Sequence, residues 1–152
     1  MNKLFAIFLI ISVVLGCKKK LSEEEQYALD KDIIEQYIED NDLTASSTSS
    51  GLHYVITSIG TGNHPTAFND VTVRYTGKFT DNQLFDQSSE LGATFNLQHV
   101  IKGWTEGIPL FKEGGEGILI LPSKLAYGPN GNSSIPPNSV LVFDVKLLEI
   151  VD

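Results

Sequence analysis

Apolar and polar residues alternate along much of the chain after residue 51, with the period of two that is typical of β-strands. The clearest run is 70–79, in which one face carries valine and tyrosine and the other carries threonine and arginine. Shorter or more apolar runs that also predict strands are 53–59, 84–86, 94–97, 117–121 and 139–150. Because one face of the clearest run is polar, we predict an antiparallel sheet that is buried on one side.

One segment interrupts the strand pattern. Residues 100–107, VIKGWTEG, contain the only tryptophan of the chain, Trp104. A helix that begins near Ile101 is stopped by Pro109, because proline lacks a backbone donor and restricts the residue before it. A helix this short depends on packing for its stability. We therefore predict an α+β domain over 52–152, in which a twisted antiparallel sheet, a half-barrel, wraps around one short helix.

A second helix is predicted before this domain. Ser22 and Glu25 have the spacing of a capping box, and the acidic residues that follow Ser22 suit a helix N-terminus. Helical spacing then places apolar residues on one face: Tyr27, Ile34, Tyr37 and Ile38. This amphipathic helix docks on the domain, dimerises or acts as a stand-off arm, and the pattern does not select among the three. Residues 44–51, TASSTSSG, carry no apolar anchor and are predicted to be a flexible linker.

The first residues resemble a bacterial lipoprotein signal. Residues 4–15 are apolar except for Ser12, a run too short to span a bilayer comfortably, which favours a signal peptide over a buried core helix. The sole cysteine, Cys17, follows Val-Leu-Gly and resembles a lipobox cysteine; a buried or incidental thiol is the alternative. The resemblance implies a signal peptide at 1–16, acylation of Cys17 and anchoring of residues 17–43 to the bilayer of the bacterial cell envelope. Because Lys18 is not the aspartate that marks inner-membrane retention, the outer membrane is favoured.

Composition removes several classes of function. The formal charge is −8 and no basic stripe exists, which argues against nucleic-acid binding. The three histidines are scattered and lack cysteine partners, no serine lies in a G-x-S-x-G motif, and no phosphate-binding glycine loop is present. Covalent and hydrolytic catalysis are therefore disfavoured, and no metal or cofactor is expected.

Aromatic residues on different predicted elements remain as the candidate chemistry. They are Tyr75, Phe85, Phe95, Trp104, Tyr127 and Phe143. A single aromatic residue most often belongs to the core. However, a buried tyrosine hydroxyl needs a partner, and two tyrosines together with Asp86 indicate an apolar pocket that contains a few polar groups.

Six short motifs follow one another in this part of the chain. They are VRYTG at 73–77, LFD at 84–86, VIKGWTEG at 100–107, LAYG at 125–128, IPP at 135–137 and LVFDV at 141–145. Together they resemble the FKBP family of peptidyl-prolyl isomerases, which bind tacrolimus and rapamycin, over about residues 51–150. With the lipobox and the acidic helix, the chain resembles the bacterial lipoprotein members of that family.

The resemblance implies a pocket with Trp104 as its floor. The walls that it implies are Tyr75, Phe85, Val100, Ile101, Tyr127 and Phe143. Asp86 corresponds to a pocket aspartate that accepts a hydrogen bond from the residue equivalent to Tyr75. The Ile101 amide and the Tyr127 hydroxyl correspond to groups that bind ligand carbonyls, and Ile135 corresponds to the loop residue that closes the rim.

The chain departs from the family pattern at the rim. The stretch 87–94 is shorter than in the small eukaryotic prototype and lacks a pocket arginine. Ala93 replaces a common aromatic residue, and Asn132 or Ser133 replaces a loop histidine.

The activity that the resemblance implies is isomerisation of X-Pro bonds in envelope or secreted polypeptides, with macrolides of the tacrolimus and rapamycin type as further ligands.

Two other hypotheses compete with this enzyme. The first is a non-catalytic module or chaperone that binds proline segments at the membrane. The second is a purely structural lipoprotein, which is disfavoured because Tyr75, Asp86 and Tyr127 would be costly in a sealed core.

Overall fold

The computed structural model describes residues 21–151, which form an antiparallel sheet with two α-helices packed against it. The helices are α1 (Glu23–Asp40) and α2 (Lys102–Gly107). The seven strands in these residues are β1 (Ser46–Ser47), β2 (His53–Ser58), β3 (Asp70–Lys78), β4 (Leu84–Gln87), β5 (Ala93–Asn96), β6 (Glu116–Leu121) and β7 (Leu141–Val151). Their order is β1-β2-β6-β7-β3-β4, and β5 also pairs with β3. The predicted fold, an antiparallel sheet around a short helix with a second helix before it, is confirmed.

Strands β3 and β7 are the long central pair of the sheet. In β3, Val71 and Val73 are fully buried, whereas Thr72 and Arg74 are only partly covered, as the alternation predicts. Because side chains alternate along a strand, Tyr75 lies on the same face as the two valines. This face of the sheet carries the main apolar cluster of the molecule.

Helix α2 lies close to β6 because it presents glycines to that strand. A Cβ atom on Gly103 would lie 2.6 Å from the side chain of Leu121, and one on Gly107 would lie 2.8 Å from that of Leu119. Residues four apart share one face of a helix, so the two glycines leave that face of α2 without side chains where it packs on β6. The helix ends at Gly107 and a 3-10 turn that contains Pro109 follows it, as predicted.

Helix α1 docks on the same sheet. Ser22 begins it with both hydrogen bonds of the predicted capping box. Ile34 and Tyr37 are 0% and 5% exposed and lie in a second apolar cluster, together with Ile120, Val140 and Val142. Of the three arrangements that the sequence pattern left open, the structure therefore shows docking on the domain.

The segment 44–51 differs from the flexible linker that its composition predicts. It contains β1, in which Ser46 and Ser47 pair with β2. The Thr48 amide donates to the Leu52 carbonyl over 2.9 Å, and the Ser50 hydroxyl donates to Glu106 over 2.9 Å. Backbone and hydroxyl hydrogen bonds therefore attach the segment to the domain, although it contains no apolar residue that could anchor it.

Residues 1–20 and 152 lie outside the described residues, and with them the predicted signal peptide and Cys17. Among residues 21–151, no helix has the length and apolar content to cross a membrane.

Candidate active site

A cluster of aromatic rings surrounds the indole of Trp104. The ring centroids of Tyr75, Phe95 and Phe143 lie 5.0, 5.4 and 5.4 Å from that of Trp104, all in edge-to-face orientation. These three residues come from β3, β5 and β7, and β3 pairs with both of the others. Such packing is favourable for aromatic rings and leaves Trp104 only 4% exposed.

The ring of Phe85 extends this cluster toward β4. Its centroid lies 5.6 Å from that of Phe143 and 5.0 Å from that of Phe79. Room for these rings is provided by Gly77, since a Cβ atom there would lie 2.7 Å from the Phe85 ring and 2.9 Å from the Phe143 ring. The glycine of the VRYTG motif is therefore required by the packing of the aromatic side chains.

A hydrogen-bonded pair of polar groups lies at the edge of the cluster. The hydroxyl of Tyr75 donates to Oδ2 of Asp86 over 2.8 Å, and Oδ1 of Asp86 accepts the amide of Gln87 over 2.9 Å. Burial raises the pKa of Tyr75 well above its usual value, and the hydrogen bond to Asp86, the charge of Asp86 and the nearby Tyr127 raise it further. Tyr75 therefore stays protonated and remains a donor near neutral pH.

The residues just before α2 present a backbone donor beside the rings. The carbonyl of Ile101 accepts the amides of Trp104 and Thr105 over 2.8 and 3.2 Å. No hydrogen bond within residues 21–151 uses the amide N–H of Ile101. The side chains of Val100 and Ile101 are half-buried against the main apolar cluster. This position therefore combines an available N–H donor with an apolar surface.

The loop 122–138 supplies the remaining predicted residues. Tyr127 is 39% exposed and directly follows Ala126, which packs on the main apolar cluster. Ile135 is 2% exposed and belongs to the main apolar cluster, so its side chain lies inside the core. The Ile135 amide donates to the side chain of Asn132 over 2.8 Å, which holds this part of the loop in a turn.

The indole Nε1 of Trp104 is buried and has no hydrogen-bond partner among residues 21–151. The surface around it is therefore apolar and aromatic, with the Ile101 N–H and the Tyr127 hydroxyl as hydrogen-bonding groups nearby. Such a surface suits an apolar ring that is flanked by carbonyl acceptors.

The structure brings together all the predicted site residues within the described range. Tyr75, Phe85, Val100, Ile101, Trp104, Ile135 and Phe143 belong to or pack on one apolar cluster. Asp86 joins it through its hydrogen bond with Tyr75, and Tyr127 follows Ala126, which also packs on it. Phe79 was not predicted, and Phe95 was predicted only as a candidate aromatic residue and not as a pocket wall; they contact Phe85 and Trp104 respectively. Phe79 follows the last residue of β3 directly, and its place in the cluster became visible only through the contact with Phe85.

The sequence comparison agrees with this geometry. Residues 62–148 match the family model described as FKBP-type peptidyl-prolyl cis-trans isomerase. The chain belongs to this family.

Its relatives include bacterial proteins named FKBP-type peptidyl-prolyl cis-trans isomerase FkpA. The one from Aeromonas hydrophila is 45% identical over 141 residues, which cover 86% of this chain and 53% of the relative. The one from Escherichia coli strain K12 is 39% identical over 135 residues, which cover 88% of this chain and 49% of the relative. The chain thus spans about half the length of the curated relatives it matches.

Solved structures show the same similarity. A peptidyl-prolyl cis-trans isomerase from Pseudomonas syringae pv. tomato has a TM-score of 0.76 at 28% identity, and the match covers 88% of this chain and 98% of that one. The crystal structure of FkpA from Escherichia coli has a TM-score of 0.73 at 38% identity, with 84% and 62% covered.

Proposed function

We propose that this chain is a peptidyl-prolyl cis-trans isomerase that accelerates rotation about X-Pro bonds. The observation that carries the proposal is the buried indole of Trp104, which lies among three edge-on rings. The N–H of Ile101, three residues before it, donates no hydrogen bond to any of residues 21–151. A prolyl ring has the size and apolar character for this surface, and carbonyl groups flank it in any polypeptide.

The reaction requires no covalent chemistry from the protein. Rotation about an X-Pro bond must cross a barrier of about 18–20 kcal/mol, because the twisted bond loses amide resonance. No covalent bond forms or breaks, so no nucleophile or cofactor is needed. An enzyme accelerates the rotation when it binds the twisted state more tightly than the planar one.

The apolar floor favours the twisted state. Resonance makes the planar amide more dipolar than the twisted amide, so removal of water on the surface of Trp104 and Phe85 disfavours the planar form more. In this proposal the Ile101 N–H and the Tyr127 hydroxyl bind the carbonyls on either side of the proline. Asp86 fixes the Tyr75 hydroxyl and acts as an electrostatic director. Val100 and Phe143 complete the apolar walls, and the buried side chain of Ile135 supports them from the core.

Isomerisation of short Xaa-Pro peptides by the full chain, purified in detergent and followed without a coupling protease, tests this function. Uncatalysed exchange takes tens to hundreds of seconds, so modest acceleration is measurable. We expect acceleration that is lost in Trp104→Ala and strongly reduced in Tyr127→Phe. Tyr54→Phe removes a hydroxyl on β2 and serves as the matched control, with unchanged rates.

A folded wild-type chain that gives no acceleration would reject the enzyme. If that chain still bound Xaa-Pro peptides, and Trp104→Ala abolished binding, the site would belong to a proline-segment binding module instead. Tacrolimus is expected to compete with the peptides for the same surface, because it also presents an apolar ring beside carbonyl groups. The thinned rim at 87–94 predicts weaker competition than in family members with a longer segment.

We also propose that the protein acts in the bacterial cell envelope, anchored by an acylated Cys17. The apolar run at 4–15 and the position of the sole cysteine support this location, and Lys18 after it favours the outer membrane. The proposed segments are a signal peptide at 1–16, a lipid-anchored segment at 17–43 that contains α1, the connecting segment 44–51 and the isomerase domain at 52–152. Metabolic incorporation of a palmitate analogue, abolished in Cys17→Ser, is the expected result; labelling of that variant would reject the anchor.

A further inference from the structure

Helix α1 buries an acidic residue that none of the steps above uses. Asp30 is 0% exposed and accepts three hydrogen bonds. Its Oδ2 accepts both the amide and the hydroxyl of Ser123, over 2.7 and 2.6 Å, and its Oδ1 accepts the side-chain amide of Gln26 over 2.8 Å. A fully buried carboxylate is costly unless such donors satisfy it, so this arrangement is a specific one.

Ser123 connects this contact to the candidate site. It begins the 3-10 turn Ser123–Leu125, which has no side-chain cap from the residue before it. Asp30 therefore caps the turn from another helix. The carbonyl of Ser123 accepts the amide of Ala126 over 3.0 Å, and Ala126 immediately precedes Tyr127. Two hydrogen-bonded steps thus join the Asp30 carboxylate to the backbone that carries the Tyr127 hydroxyl.

A second contact between the same two segments supports the first. The ammonium group of Lys124 lies 3.5 Å from the ring centroid of Tyr27 on α1, a cation–π contact. Tyr27 also packs closely on Gly51, where an added Cβ atom would overlap its ring and hydroxyl. Tyr27 and Asp30 are three residues apart, so both project from one face of α1 toward the loop 122–138.

We propose that Asp30 is a positioning residue for the isomerase site. Through Ser123 it fixes the turn before Tyr127, which makes α1 a functional part of the catalytic domain and not only an arm for the anchor. The inference rests on the proposed function for its catalytic consequence, whereas its structural part, the hold on residues 123–126, is testable without activity.

The first test is amide hydrogen exchange of the full chain in detergent. Asp30→Leu keeps the branched shape of the side chain, with two methyl groups in place of the two carboxylate oxygens, but leaves the Ser123 donors unmatched. We expect the amides of Ser123, Leu125 and Ala126 to exchange at least about tenfold faster, with β3 amides unchanged. Asp40→Leu is the matched control, because Asp40 accepts Gln36 on α1 just as Asp30 accepts Gln26, but on the exposed surface. Unchanged protection of the turn in Asp30→Leu, or an equal loss across β3, would overturn the inference.

The second test is isomerase kinetics. We expect Asp30→Leu to lower kcat/KM about tenfold, since small displacements of a positioned group are costly. Asp30→Asn retains an oxygen acceptor for Ser123 and is expected to recover most of the activity. In a Tyr127→Phe background, the same Asp30→Leu change should cost less than about twofold, because the group that it positions is gone. An equal loss of kcat/KM in both backgrounds would mean that Asp30 contributes only to the general stability of the fold, and it would reject the positioning role.

The two tests separate the possible failures. If Asp30→Leu does not fold, Ser123→Ala removes one of the three hydrogen bonds and is measured by the same exchange experiment, with a smaller increase expected at Leu125 and Ala126. A wild-type chain without isomerase activity would reject the proposed function, while the exchange result would still decide whether Asp30 holds the turn.

Discussion

Gly77→Ala is the most direct probe of how the aromatic cluster is packed. The added Cβ atom would lie 2.7 and 2.8 Å from two atoms of the Phe85 ring and 2.9 Å from the Phe143 ring. Ordinary contact of a Cβ atom begins at 3.4 Å, so the Phe85 ring must move by about 0.7 Å. It cannot do so freely, because Phe79 and Phe143 pack against it, with ring centroids 5.0 and 5.6 Å away.

The expected cost has two parts of opposite sign. Overpacking of this kind costs about 1–3 kcal/mol in the free energy of unfolding. Replacement of glycine by alanine restrains the unfolded chain and returns about 0.4–1 kcal/mol. A net loss near ~1.5 kcal/mol is expected, which lowers the urea midpoint by about 1 M at an m-value near ~1.5 kcal/mol/M. Because the displaced rings form the proposed floor and wall, kcat/KM should fall by about tenfold.

Urea denaturation and the peptide isomerisation assay measure the two effects in one preparation. A variant with the wild-type midpoint and the wild-type kcat/KM would refute the reasoning, since the rings would then not be confined. Phe85→Leu in the Gly77→Ala background provides an internal check. The smaller side chain relieves the clash, so the double variant should be more stable than the sum of the single effects by at least about 1 kcal/mol.

Three further predictions concern the polar edge and the docked helix. Asp86→Leu should lower kcat/KM by about tenfold. The free energy of unfolding measured in urea should change by less than about 1 kcal/mol, because the carboxylate is exposed. Unchanged turnover would remove Asp86 from the mechanism. Because the pKa of Tyr75 is raised above its unfolded value of about 10, folding stability should fall as pH rises above about 10 and through the higher folded pKa. Urea midpoints measured against pH should show a smaller fall in Tyr75→Phe, and an identical fall would contradict the shift. Ile34→Ala should cost about 2–5 kcal/mol of stability in the same unfolding experiment, whereas Ile33→Ala, at a position 41% exposed, should change it by less than about 0.5 kcal/mol.

Features that depend on local patterns were predictable from the sequence. The alternation in β3, the capping box at Ser22 and the end of α2 before Pro109 all follow from neighbouring residues. The aromatic residues of the site were recognisable because their motifs resemble a known family. Their mutual packing, including the part of Phe79, depends on strand pairing and became visible only in the structure.

Features that depend on contacts between distant segments were not predictable. Serines in 44–51 look like a linker, and the pairing that makes two of them a strand is supplied by β2. Asp30 gave a weak signal, because it lies on the apolar face of α1 between Tyr27 and Ile34, where an acidic residue is unexpected. Its partner, Ser123, lies 93 residues away, so no local pattern identifies it.

The candidate site is also a part of the core, and this determines which substitutions are informative. Trp104 and Phe143 are each 4% exposed and belong to the main apolar cluster, so their truncation removes packing and the proposed binding surface together. Asp86 and the 39% exposed Tyr127 lie at the edge, where a side chain contributes little to stability. A loss of turnover in edge variants of unchanged stability therefore identifies function, whereas the same loss in Trp104→Ala counts only when the fold of that variant has been verified.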